Sequence, residues 1–233
     1  GKREESLKIL SQMELCLDMN LVCNRQYVKC HEYISKNRLS LLSAEETYIK
    51  LEELLSLTQG MDRDETKIVY YSQTELEIIG NWAQILRECG KYKEGISLCE
   101  VVIKQMQYSK LGFEQQWNGL CFVLRILSCL YFAINKYEMS VEIAKYVNHV
   151  NIKRKEATSI PVTLDIIADD LEHMGEQHSK EYKKLYRYTY YIAEFLGKFS
   201  LIGISFLLIC VIGLLKDSEG KLDLVTAVQN AGM

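Results

Sequence analysis

NWAQILRECGKYKEGISLCEVVI, Asn81 to Ile103, reads as two amphipathic helices joined by a tight turn at Gly90-Lys91-Tyr92. On each side of the turn, apolar residues recur three and four apart, the spacing of one helical face. Glycine at the junction has no Cβ, so it takes the left-handed backbone that ends a helix and reverses the chain. The rest of the sequence carries little that would interrupt helices. A single proline, Pro161, and 13 glycines are spread over 233 residues, which favours long helices over a many-stranded fold. The expected fold class is all-α.

Upstream, residues 3–17 place Leu7, Leu10, Met13 and Leu17 on one stripe, and 20–24 interrupt it. Arg25 to Lys36 resumes with Tyr27, Cys30, Tyr33 and Ile34 at helical spacing. Ser43-Ala44-Glu45-Glu46 fits a capping box opening a helix to about Leu57, and 59–67 is a polar loop around Gly60. Helices are then expected over 72–89, 92–107, 114–134, 138–151, 160–174 and 180–196. The 114–134 helix is apolar nearly all round and should be the most buried. Breaks fall at Gly112, Asn135, Gly175 and Gly197, Lys153-Arg154-Lys155 reads as a basic connection, and Pro161 suits a first helical turn.

Composition narrows the function classes. Apolar residues make up 48% and charged residues 25%, which is globular. Lys+Arg is 28 against Asp+Glu 31, so the basic excess of a nucleic-acid-binding domain is missing from this stretch. Eight cysteines include no CxxC pair, and most sit among apolar residues, where a thiol acts as a small hydrophobe. The first ten residues, GKREESLKIL, show no apolar signal-peptide core, and the expected location is the cytoplasm. Starting at Gly1, not Met, fits a segment taken from a longer protein.

Phe199 to Leu215, FSLIGISFLLICVIGLL, is the most apolar run. It is shorter than the ~20 residues that span a bilayer. Three readings stay open: a helix capping the array, a partner or dimer contact, and a membrane anchor. Residues 199–233 are set apart as an apolar helix and tail following a helical domain over 1–198.

GKYKEGISLCEVV (Gly90 to Val102) and NKYEMSVEIAKYV (Asn135 to Val147) share a pattern: turn residue, Lys, Tyr, charge, then a small and an aliphatic residue. A looser copy turns at Gly175. The turns are 45 and 40 residues apart, the sign of stacked helical hairpins. GKYKEGI resembles the turn motif of the tetratricopeptide repeat (TPR), with Gly95 and Ser140 at one small position and Ala83 and Ser128 at the other. Trp82 stands where that family favours Leu, the closing Pro is missing, and the repeats are longer than usual. The resemblance implies an α-α superhelix, a TPR-like right-handed solenoid of antiparallel helix pairs.

A narrower likeness runs through Asn24-Arg25-Gln26-Tyr27, Ser43-Ala44-Glu45-Glu46 and Tyr190-Tyr191-Ile192-Ala193-Glu194. It is similar to the C-terminal sensor domain of Gram-positive helix-turn-helix transcriptional regulators of the peptide-sensing RNPP group. The resemblance implies a short peptide as ligand, a homodimer, and DNA contact only through an N-terminal domain outside this sequence. A protein–protein adaptor with no link to DNA is the alternative.

In such arrays the first helix of each pair lines the concave surface. That mapping selects Glu77, Asn81, Gln84, Arg87 and Glu88, then Phe122, Arg125, Cys129 and Phe132, then Val162, Asp165, Asp169, Glu172 and His173. An Asn81 amide can both donate to and accept from a peptide backbone, whatever the peptide sequence. Arg87 or Arg125 can fork onto a carboxylate. Phe122 and Phe132 are expected to form an apolar pocket between them. Each also has a plainer reading, as a solvated or core-packing residue. Asp165, Asp169 and His173 share one face, which suits a metal, a solvated acidic face or an acidic rim for a basic peptide. One helix supplies few convergent ligands, so no metal or cofactor is assigned. No phosphate loop, HExxH or nucleophile–base pair is visible, and the chain does not read as an enzyme.

Overall fold

The computed structural model describes residues 2–58, 64, 66–107, 116–156, 159–176, 179–180, 182–185 and 187–188. The fold is all-α. Among the described residues there is no strand. The helices are α1 (Lys2–Cys16), α2 (Val22–Arg38), α3 (Ala44–Leu55), α4 (Gln73–Glu88), α5 (Tyr92–Gln107), α6 (Trp117–Ala133), α7 (Tyr137–Arg154) and α8 (Ile160–His173). Gly112, the 190–194 motif and the 199–215 segment lie outside the described residues. The chain divides into two compact units, Gly1–Val147 and Asn148–Met233.

One corner device recurs at five helix ends. Gly90 and Gly175 have φ of 73° and 79°, and Ser40, Asn135 and Lys155 take the same left-handed backbone. After each, an N–H reaches back over the corner: Lys91 N–H to Leu86 O, Lys136 N–H to Tyr131 O, Glu176 N–H to Leu171 O, Leu41 N–H to Lys36 O, and Glu156 N–H to Asn151 O, at 2.8–2.9 Å. This is the Schellman closure, which satisfies the last carbonyls of a helix and turns the chain back. The expected basic connection at 153–155 is corrected here: Lys153 and Arg154 form the last turn of α7, where cations favour the negative end of the helix dipole. Only Lys155 makes the corner.

Side chains cap the starts of α3 and α4. The Ser43/Glu46 capping box is present, and a second, Ser72/Glu75, opens α4. The core of the first unit is Val28, Leu51, Leu55, Leu76, Ile79, Val102, Leu120 and Leu130, with Tyr71 and Trp117 also buried. α6 is buried around most of its circumference, as its composition implies. The small positions meet in pairs. A Cβ on Gly95 would stand 3.5 Å from Ala83 O, and Ser128 Oγ donates to Ser140 O at 2.9 Å. Gln26, fully buried, donates to Leu54 O and Thr58 Oγ1 at 3.0 and 3.2 Å, tying α2 to the end of α3.

Candidate functional site

The first helices of successive pairs, α2, α4 and α6, pack side by side: α2 on α4, and α4 on α6. Two glycines fix the α4–α6 spacing. A Cβ on Gly119 would stand 2.6 Å from Leu76 Cβ, and one on Gly80 would stand 2.5 Å from Phe122 Cδ1. Neither gap accepts a methyl group as it stands. Close approach also places the Gln73 side chain of α4 under α6, where its Oε1 accepts from Gly119 N–H at 2.9 Å. Among the described residues of α6 this offsets a missing cap, because Gln116, at its N-cap, makes no side-chain capping bond.

The selected residues fall on the open stripes of these helices. On α4, Glu77, Asn81, Gln84 and Arg87 are half-buried and Glu88 is exposed, while the residues between them are mostly buried. On α6, Phe122, Arg125, Cys129 and Phe132 form the half-buried stripe of a helix otherwise nearly enclosed. Phe122 lies against Gly80, next in sequence to Asn81. Phe132 instead meets Tyr137 edge-on, with ring centroids 5.5 Å apart. Ten residues separate the two phenylalanines, roughly 15 Å along a helix, so they furnish two contacts and not one shared pocket.

Asn81 Nδ2 donates to Glu77 O one turn back, at 2.8 Å, and lies 3.8 Å from Cys30 Sγ on α2. Its Oδ1 is the part of the amide that these bonds leave for another donor. Gln84 Nε2 donates to Glu88 Oε1 at 2.8 Å. Arg87 Nε and Arg125 Nε are buried and make no hydrogen bond with the protein. A desolvated guanidinium N–H without an acceptor is costly, and an anionic ligand group would relieve that cost.

α2 adds residues that the sequence mapping omitted. His31 Nε2 is 3.8 Å from Glu77 Oε2, and its ring meets Tyr27 edge-on at 4.6 Å. Cys30 is buried beside them. Burial and the Glu77 carboxylate push its thiol up to about 12, so it stays protonated and unreactive. The available signal was Tyr27 and His31 spaced one turn apart on an amphipathic helix.

The other selected residues, in the second unit, all sit on α8. Val162, Glu172 and His173 are exposed, and Asp165 and Asp169 are half-buried. Burial and the neighbouring Asp169 raise Asp165 to about 6. Burial and Glu172 raise Asp169, against the opposing pull of His173. His173 Nδ1 lies 2.8 Å from Asp169 O. Among the described residues, no three His, Cys, Asp or Glu side chains are grouped to hold a metal ion. No described helix is long and apolar enough to cross a membrane.

No protein-family model matches the sequence, and neither does any curated protein. The fold, however, is similar to that of Bacillus thuringiensis PlcR. The chain is similar to PlcR in complex with the peptide PapR7 and DNA, with a TM-score of 0.69 and 17% identity over 84% of this chain. It is also similar to PlcR in its apo form, with a TM-score of 0.65 and the same identity and coverage. The matched region takes in 65% and 67% of the PlcR chains, so this sequence spans about two thirds of their length.

Proposed function

We propose that this chain is the peptide-sensing regulatory domain of a cytoplasmic transcriptional regulator. A short peptide lies across α2, α4 and α6. Asn81 Oδ1 accepts from its backbone, Arg87 and Arg125 hold a carboxylate, and Phe122 supplies an apolar contact. The observation that carries this reading is the convergence of half-buried polar and aromatic side chains from three helices, with two buried guanidinium N–H groups lacking acceptors. The fold likeness to a peptide- and DNA-bound protein supports it. DNA contact belongs to a helix-turn-helix domain outside this sequence. Peptide binding shifts the helix pairs between two arrangements and so changes the spacing of two DNA-binding domains in a homodimer.

Calorimetric titration with a pool of short synthetic peptides tests the binding face. Losing one hydrogen bond costs about 0.5–1.5 kcal/mol, so Asn81→Ala should weaken binding roughly two- to twelvefold. Binding as tight as that of the parent would remove Asn81 from the site. Light scattering tests the dimer, for which residues 199–215 are the proposed contact. A monomer at high concentration would overturn that part.

A further inference from the structure

The face built by α2, α4 and α6 continues past α2. Tyr27 and His31, whose neighbour on one side is Glu77 of α4, also wall a solvent-open cavity of about 310 Å³ completed by α1. Leu10 and Met13 line it, Ile9 and Tyr27 stand at its exposed rim, and Glu5 adds a carboxylate. Its volume is at the lower end of the range for ligand pockets and suits one bulky side chain. Exposed Ile9 and Tyr27 beside this opening leave apolar area in water that an occupant would cover.

Charge distinguishes the two ends of this surface. The charged groups lining the α1–α2 cavity are Glu5 and His31, the latter set against Glu77 of α4, and nearby Lys29 is already paired with Glu14 and Glu32. Arg87, near the C-terminal end of α4, and Arg125 of α6 carry the guanidinium groups of the face. A short peptide carries an ammonium at one end and a carboxylate at the other, so this arrangement favours one direction of binding.

We propose that the α1–α2 cavity receives the amino-terminal residue of the bound peptide. Its bulky apolar side chain enters between Ile9, Met13 and Tyr27, and its ammonium faces Glu5. This rests on the peptide-binding reading above and adds to it a direction and a first-residue preference.

The test uses a positional-scanning pool of short peptides, with free or acetylated amino termini, titrated against the whole chain by fluorescence polarisation. Ile9 is exposed, so Ile9→Asp should fold, and circular dichroism confirms that it does. Peptides beginning with Leu, Ile or Phe should bind about tenfold tighter than those beginning with Gly, and acetylation should weaken binding severalfold. Ile9→Asp should abolish the first-residue preference, and Glu5→Gln should abolish the effect of acetylation. The proposal is overturned if the pool binds, and Asn81→Ala weakens it, while the first residue and acetylation have no influence; the binding face would then stand alone. A pool that does not bind at all overturns both. A dimer that Ile9→Asp converts to monomer would make the cavity a contact between two copies and also overturn the proposal.

Discussion

α4 and α8 each carry a row of polar side chains about one turn apart, Glu77–Asn81–Gln84 on the first and Asp165–Asp169–His173 on the second. The environments differ. The α4 row is answered from a neighbouring helix, by His31 and Cys30 of α2, and Phe122 of α6 lies against Gly80 beside it. The charges that perturb the α8 row lie on its own helix: Asp169 acts on Asp165, and Glu172 and His173 act on Asp169. A polar row on one helix reports only that the helix has an open side. It becomes a recognition surface when other helices bring different chemistry to the same place.

The contrast predicts that α4 is sensitive to its neighbours and α8 to pH. The largest effect should come from Gly119→Ala. The new methyl meets Leu76 Cβ, which is fixed to the α4 backbone, so the two helices must separate. Overpacking of this kind costs about 1–3 kcal/mol, read as a lower urea midpoint, and peptide binding should fall with it. An unchanged midpoint would show that the α4–α6 spacing is not set at Gly119.

Next is Asp165→Asn. The folded carboxyl titrates at about 6, above the ~3.9 of an unfolded aspartate. Between those values the folded chain holds more protons, so stability falls as pH rises and the penalty is complete above the folded pKa. Asparagine removes it. With allowance for solvent screening, the variant should gain on the order of 1 kcal/mol at pH 7.5, and below pH ~4 the gain should vanish. A gain independent of pH would assign the effect to packing.

Lys155→Gly relieves a left-handed backbone held by a residue with a Cβ, and should add about 0.5–1 kcal/mol in thermal or urea melts. Gly80→Ala should change stability least. Its methyl meets the Phe122 ring, which can swing aside, and the gain in helix propensity of about 1 kcal/mol offsets the displacement. Its signature is a Phe122 ring displaced in NMR spectra, with altered peptide affinity in an otherwise stable protein.

Much of the fold was legible where a residue's type states its conformation. Gly90, Asn135 and Gly175 are residues that tolerate left-handed backbone, and all three make corners. Ser40 and Lys155 make the same corner after α2 and α7 while their side chains argue against it, and with Ser40 at its turn the α2–α3 pair does not show in the repeat pattern. That concealed α2 and left His31 and Tyr27 off the mapped face. Gln26 was hidden for a related reason. A glutamine reads as surface, and its burial is satisfied by Leu54 O and Thr58 Oγ1, partners 28 and 32 residues away. The open stripes of α4 and α6 were legible because helical periodicity alone selects them. Which polar groups keep bonding capacity depends on neighbours: Asn81 spends a hydrogen on Glu77 O, and Gln84 spends one on Glu88.

The Gln73 contact with Gly119 has a bearing on cooperativity. A helix whose first N–H groups are satisfied from its own sequence keeps its cap when a neighbouring helix unwinds. α6 takes part of its start from a side chain on α4, so when α4 unwinds, α6 loses a hydrogen bond as well as an apolar face. Unfolding should therefore pass from α4 into α6 as one transition, and opening measured by hydrogen exchange should have the same free energy in both helices.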